Sequence, residues 1–292
     1  MDDCWALKER DPEGNLVPDP EKFPHGMKTV ADYIHSKGLK FGIYSCAGIL
    51  TCAGYPSSYD HEYQDARQFA RWGVDYLKYD FCNFPDNADC KNRYLTMSMA
   101  LKASGREILF AACNWGTEDS WNWMRSIGAH TYRSTGDIFD SYQSFIRIFQ
   151  SQLPHFSQSA PFCFNDIDML TVGMYNKGNV AIGKACTDNE YRMQFSLWCL
   201  AGSPLIIGAN ILELNPAMKE LLLNKRLIAI DQDPECRPPY LVSQRSVKIP
   251  EEDRENAIEP LRCIKDQLYI FLKILSDNTF VVAYYNLFEQ EQ

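Results

Sequence analysis

Ala66-Arg67-Gln68-Phe69-Ala70-Arg71-Trp72-Gly73-Val74-Asp75-Tyr76-Leu77-Lys78-Tyr79-Asp80-Phe81 is the stretch whose reading decides the fold. Ala66, Phe69 and Ala70 share one face of a helix, Gly73 interrupts it, and Val74 to Phe81 then runs as an apolar strand. The same order recurs on both sides. Met27, Val30, Ala31 and Ile34 line a helical face, Gly38 reads as its C-cap, and Leu39 to Tyr44 reads as a strand. Tyr94, Met97 and Leu101 precede Gly105, after which Ile108 to Cys113 reads as a buried strand. Helix, glycine, apolar strand, repeated, is the pattern of alternating β and α units around a parallel sheet.

Working outward, Thr131 to Arg133, Pro161 to Asn165 and Leu205 to Gly208 read as further strands, with helical segments near 141–151 and 189–200. Six strands are visible where a closed (β/α)8 TIM barrel needs eight. The expected fold class is therefore α/β, a (β/α)8 barrel lacking its first strand-helix unit. The texture changes after Ile228-Ala229-Ile230, through Pro234, Pro238, Pro239 and the charged run Glu251 to Glu255. Beyond it, Leu268 to Leu272 and Phe280 to Tyr285 flank Ser276-Asp277-Asn278 and read as an antiparallel hairpin. The expected division is a catalytic domain over 1–235 and the start of a C-terminal antiparallel β domain over 236–292, with the tail Glu289 to Gln292 too short to complete a sandwich.

Composition narrows the function. The 292 residues are 46% hydrophobic and 23% charged, an ordinary globular balance. A net charge of -9 argues against a nucleic-acid groove, which needs clustered Lys and Arg. No apolar run approaches the roughly 20 residues that span a bilayer, and no basic segment followed by an apolar one opens the chain, so no membrane partner is expected. Met1 is followed at once by the polar cluster Asp2-Asp3-Cys4-Trp5, which suggests a missing upstream piece. Eleven cysteines are an odd number without paired zinc-type spacing. Compartment stays open between the cytoplasm and, with an upstream segment, secretion; homo-oligomerisation is equally open.

In a (β/α)8 enzyme the active site lies at the carboxyl ends of the strands. Lys78 and Asp80 end one strand, Asn114 and Trp115 follow another, Arg133 and Asp137 a third, Asp166 and Asp168 a fourth; Tyr44 ends the first, and Asp2-Asp3 sit where an earlier strand would finish. Lys78 and Asp80 point to one face and can pair, which reads equally as a structural ion pair at the barrel rim. Several carboxylates from different strands, with no metal cluster to absorb them, suit glycoside hydrolysis, which needs two. The residues alone do not single out which two. Asp166-x-Asp168 offers too few oxygens for a hard cation, and His25, His35, His61, His130 and His155 have neither ligand spacing nor triad context. Neither metal nor cofactor is expected.

Taken together the segments resemble glycoside hydrolase family twenty-seven, the melibiase or α-galactosidase family. The resemblance is carried by Asp2-Asp3-Cys4-Trp5, His35 to Tyr44, Thr51-Cys52-Ala53-Gly54, Trp72 to Asp80, Cys113-Asn114-Trp115-Gly116, Tyr132 to Ile138, Asn165 to Leu170 and Ala201 to Leu205, in the family's order. It implies a retaining α-galactosidase in which Asp80 is the nucleophile and Asp137 the acid/base. Asp2 and Asp3 would bind the galactose 4- and 6-hydroxyls and Lys78 the 3- and 4-hydroxyls. Arg133 and Asn114 would serve the 2-hydroxyl region, Tyr44, Cys52, Trp115 and Met169 would line the pocket, and Asp168 would support the acid/base or Arg133. Lys78 and nearby donors would hold Asp80 ionised. Cys52 and Cys82 match a disulfide bordering the site.

Departures are Phe164 and Ile167 in place of the usual Trp and Pro, and Asn114 where animal and plant members carry Glu. The implied substrates are melibiose, raffinose-type oligosaccharides and galactomannan side chains. The alternatives are an α-N-acetylgalactosaminidase, which bulky Trp115 argues against, another α-glycosidase of the family, or a galactose-binding fragment without turnover.

Overall fold

The computed structural model describes residues 1–246 and 267–287, and the chain divides into two compact units, residues 1–134 and 135–292. The charged run Glu251 to Glu255 and the tail Glu289 to Gln292 lie outside the described residues.

The first unit alternates as its repeats predict: α1 (Gly26–Ser36), β1 (Gly42–Cys46), α2 (Glu62–Trp72), β2 (Tyr76–Asp80), α3 (Cys90–Ala103), β3 (Leu109–Cys113) and β4 (Thr131–Arg133). The four strands are parallel neighbours in that order. Gly73 closes α2 in the left-handed conformation at φ 85°, a backbone state that costs glycine nothing and lets the chain turn directly into β2.

Helix α2 shows why the irregular N-terminal segment stays in place. Its buried face carries Glu62, Asp65 and Gln68 beside Ala66 and Phe69, and buried polar groups must find partners. Arg10 grips both oxygens of Asp65 at 2.8 and 2.7 Å, Gln68 exchanges hydrogen bonds with the backbone of Leu16 at 3.2 and 2.8 Å, and Arg93 of α3 reaches Glu62 at 2.9 Å.

Strand register sets the two faces of the sheet. Tyr44 stands beside Lys78, Cys46 beside Asp80, Lys78 beside Ala111, and Cys113 beside Arg133. Successive side chains alternate, so Tyr76, Lys78 and Asp80 share one face while Leu77 and Tyr79 occupy the other. The second face packs on the helices: Tyr79 lies edge-on to Tyr94 of α3 at 5.4 Å between ring centroids and 5.8 Å from Phe110. Such aromatic contacts add about 1 kcal/mol each beyond simple burial.

The second unit holds α4 (Tyr142–Gln152), β5 (Phe164–Asp166), α5 (Asp188–Ala201), α6 (Pro216–Leu222), α7 (Lys225–Asp231) and an antiparallel sheet in the order β6 (Tyr240–Ser246), β7 (Gln267–Ile274), β8 (Phe280–Asn286). Phe145 and Phe149 of α4, Phe195 and Trp198 of α5, and Phe271 and Tyr285 of the sheet form its core. The hairpin turn forms at Ser276-Asp277-Asn278, with Asn278 at φ 65°.

Three expectations need correction. Leu205 to Gly208 is no strand: Ile206 N turns back onto Pro204 O at 3.1 Å, which leaves one isolated parallel bridge between Leu170 and Ile207. The strand expected from Pro161 begins only at Phe164. Helices α6 and α7 were unforeseen, although Asn215 and Asn224 cap their first turns and Pro216 at the first helical position is a recognised start signal. Among the described residues, no helix is long and apolar enough to cross a membrane.

Candidate active site

Asp80 closes β2 and is the centre of the first unit's polar cluster. Its side chain is buried, 6% exposed. Oδ1 accepts the N–H of Phe81 at 2.9 Å and Oδ2 accepts the hydroxyl of Tyr44, one strand away, at 3.1 Å. Burial pushes the Asp80 carboxyl above its usual range, and the positive charge of Lys78 and hydrogen bonds from Phe81, Tyr44 and Cys113 pull against that rise without cancelling it. Desolvation is the largest of these effects.

Lys78 does not pair with Asp80 as the strand pattern suggested. Its ammonium donates to Asp2 Oδ2 at 3.0 Å and lies 5.4 Å from the centre of the Tyr44 ring. Burial opposes its charge, yet the neighbouring carboxylates Asp2 and Asp80 help to outweigh that and keep it cationic; the same pair holds Asp2 below the ordinary carboxylate range against its own burial. Asp3 accepts the N–H of Cys4 at 2.7 Å and of Ala53 at 2.9 Å, and Trp5 anchors the segment through Nε1 to Tyr44 O at 2.9 Å. Residues 2–5 therefore sit at the carboxyl end of β1, beside Tyr44 and Lys78.

Cys52 and Cys82 are joined in a disulfide, which ties the loop after β1 to the loop after β2. The Cys52 sulfur lies 3.5 Å from Asp80 Oδ2 and 3.4 Å from the Tyr44 hydroxyl. Gly48 makes this crossing fit: a Cβ there would run into the carbonyl of Cys82 and the backbone of Asn83. Among the described residues the one group of Cys, His, Asp and Glu atoms close enough to grip a metal is Cys52, Asp80 and Cys82. Two of those three are committed to the disulfide.

Asn114 is turned away from this cluster. By strand alternation it shares the helix-facing side with Phe110 and Ala112; it is fully buried, and its Nδ2 bonds Thr117 O at 2.9 Å and Cys90 Sγ of α3 at 3.7 Å. The residue that β3 directs towards Asp80 is Cys113, its side chain in contact with Arg133 Nη1 at 3.8 Å. Cys113 escaped the sequence reading, which quoted it only within a motif; the period-two alternation through Leu109, Ala111 and Cys113 was the available signal. Trp115 is partly exposed, at φ 59°, with its ring edge-on to Phe81 at 5.9 Å.

In the second unit Asp137 is exposed on the loop after β4. Asp168, at φ 79°, accepts the N–H of Ile138 on Oδ2 and of Met169 on Oδ1, both at 2.7 Å, and its backbone oxygen takes the Trp198 indole N–H at 2.7 Å. Asp166 Oδ1 accepts the N–H of Asp168 at 2.9 Å. Asp168 is thus a support for the segment that carries Asp137, and Met169 follows it directly.

Parallel strands joined by helices, with a buried carboxylate and its polar partners at the strands' carboxyl ends, define an α/β protein of the (β/α)8-barrel class. Residues 1–233 match the family described as alpha galactosidase A, and the chain belongs to that family. It is 47% identical over 234 residues to the α-galactosidase of Cyamopsis tetragonoloba, covering 80% of this chain and 54% of that one. It is 49% identical over 234 residues to the α-galactosidase of Coffea arabica, covering 80% and 59%. The structure of the Saccharomyces cerevisiae α-galactosidase with raffinose matches it at a TM-score of 0.83 and 31% identity, over 98% of this chain and 64% of that one. The chain thus spans a little over half the length of the curated relatives it matches.

Proposed function

We propose that this protein hydrolyses terminal non-reducing α-D-galactosyl residues by double displacement with retention of configuration. The observation that carries the reading is the environment of Asp80: a buried carboxylate at the end of a parallel strand, aimed by Tyr44 and Phe81 N–H. Its neighbours Lys78 and Asp2 are suited to sugar hydroxyls. Identity of 47–49% to plant α-galactosidases supports the substrate class. The raffinose bound to the Saccharomyces cerevisiae relative supports raffinose-type oligosaccharides among the substrates, with melibiose and galactomannan side chains expected beside them.

In this reaction Asp80 attacks the anomeric carbon while Asp137 protonates the departing glycosidic oxygen. Asp137 then takes a proton from the water that releases galactose and frees Asp80. A retaining pair requires the two carboxyls to stand about 5 Å apart across the sugar. Lys78 and Asp2 form a donor-acceptor pair beside Asp80 that a hydroxyl can enter, donating to the carboxylate and accepting from the ammonium. Asp3 adds a second carboxylate on the same segment, the kind of constellation that separates an axial 4-hydroxyl from an equatorial one.

The test is hydrolysis of nitrophenyl α-galactoside by the purified chain, beside Asp80→Asn and Asp137→Asn, with the anomer of the first product followed by proton NMR. Turnover lost in both variants, with α-galactose released first, is the expected result. Release of β-galactose, or faster cleavage of the N-acetylgalactosaminide, would overturn the mechanism or the specificity respectively. Galactose binding without turnover in the unaltered chain would reduce it to a sugar-binding fragment.

A further inference from the structure

Asp80 shares its rung of the sheet with Cys113, whose chemistry the reaction above does not use, and with Arg133, the residue expected near the sugar's 2-hydroxyl. Tyr79 stands beside Ala112, so the next position of each strand brings Asp80 beside Cys113, and Cys113 in turn stands beside Arg133. All three side chains fall on the face that bears Lys78, and all three are buried, at 6%, 3% and 5% exposure. Arg133 Nη1 meets Cys113 Sγ at 3.8 Å. On its other side the thiol is one of the groups whose hydrogen bond draws the Asp80 carboxyl down.

A buried free cysteine ordinarily acts as a small hydrophobe. Here its neighbours are a carboxylate, a guanidinium and, two residues along the strand, the Lys78 ammonium. In an apolar setting a methyl group would fill the space as well. Between an acceptor and a donor the thiol has two uses, because S–H donates and sulfur accepts. Asp80 has its remaining bonds from Phe81 N–H and Tyr44, which approach from its own strand and from β1. Cys113 is the partner from β3, so removing it leaves the carboxylate unsupported on that side.

We propose that Cys113 is a positioning residue of the site, its Sγ accepting from Arg133 and its S–H donating to Asp80, so that it aims the nucleophile and links it to the guanidinium. The proposal rests on the assignment of Asp80 as nucleophile. Losing one hydrogen bond to the ionised form moves a carboxyl titration by roughly one pH unit or less. The direction is upward, since the bond favours the charged form.

The experiment compares the unaltered chain with Cys113→Ala and Cys113→Ser, and with the near-isosteric Cys113→Val should alanine fail to fold. Two readouts are taken: the pH profile of kcat/KM on nitrophenyl α-galactoside, and the titration of Asp80 by carboxyl carbon NMR, its signal assigned by its loss in Asp80→Asn. Alanine or valine should shift the Asp80 midpoint and the acid limb of the profile upward together, and lower kcat by about three- to tenfold with KM little changed. Serine, which keeps a donor, should restore most of both. An unmoved midpoint in alanine or valine, or serine behaving like alanine, overturns the role of Cys113. A midpoint that shifts while no variant, nor the parent, cleaves the galactoside upholds the link and overturns the assigned function instead.

Discussion

Asp168 Oδ2 accepts the backbone N–H of Ile138 at 2.7 Å, fixing the residue that directly follows Asp137. The other oxygen holds Met169 N–H, so both carboxylate oxygens are engaged by backbone donors. Asparagine tolerates the left-handed backbone that Asp168 adopts, yet it replaces one acceptor with a donor. Asp168→Asn should therefore release either Ile138 or Met169 and destabilise the fold by about 1–3 kcal/mol. With the Asp137 segment loosened, kcat should fall about tenfold or more while KM changes little. Steady-state kinetics beside calorimetry decide it: a lowered Tm with unchanged kcat would confine Asp168 to stability.

Asp80 is a case where function and stability oppose each other. Burial raises its folded pKa, and a carboxyl raised on folding costs stability progressively as the pH climbs above its unfolded value, the cost being complete above the folded one. Asp80→Asn removes the charge and keeps the shape, so at neutral pH its Tm should equal or exceed that of the parent. Activity should drop by about three orders of magnitude or more, the scale for loss of a covalent nucleophile, which is the role proposed for Asp80. A large fall in Tm would mean that the ionised carboxylate is itself a structural element.

Much of this was legible in the chain. The repeat of helix, glycine and strand located β1, β2 and β3 because burial on both faces imposes an apolar run between turn signals that no other element shares. Asp80, Lys78 and Tyr44 were legible for the same reason, as polar residues ending apolar strands. Side-chain aim was less so. Asn114 and Cys113 are adjacent, and motif resemblance drew attention to the amide, whereas alternation along β3 sends the amide to α3 and the thiol to Asp80. The partner of Lys78 was also hidden, since Asp2 lies 76 residues away on a segment without periodic pattern. That segment is held by Arg10 and by the contacts of Gln68, which no local spacing announces.

The Cys52–Cys82 disulfide closes a separation of 30 residues, for which chain entropy gives about 3–4 kcal/mol of stabilisation. It also presses one sulfur against Asp80 and Tyr44. Cys52→Ser with Cys82→Ser should lower stability by an amount of that order and loosen the loop after β1. Because Asp3 binds that loop through Ala53 N–H, KM should rise together with any loss in kcat. Urea unfolding and galactoside kinetics on the double variant are the measurements; a stability loss with unchanged KM would separate the crosslink from the segment of Asp2 and Asp3 proposed to bind the sugar.

At the opposite end of β2, Asp75 ties the foot of the sheet. Its Oδ2 meets His35 Nε2 at 2.7 Å and accepts Phe41 N–H at 2.8 Å, and its Oδ1 accepts Arg106 Nη2 at 2.6 Å. Burial alone would raise the carboxyl, but the Phe41 amide, His35 and Arg106 together bring it down to about 2. An unfolded aspartate titrates near 3.9, so the difference contributes about 2 kcal/mol to stability. The folded value is the lower of the two, hence this contribution is complete above about pH 4 and is lost as the pH falls towards 2. Asp75→Asn should cost about 2 kcal/mol or more at pH 7, and the gap to the parent should narrow steadily between pH 4 and pH 2. Urea unfolding at several pH values across that window measures it. A gap that stays constant down to pH 2 would mean that Asp75 acts through packing and neutral hydrogen bonds, with its charge contributing nothing.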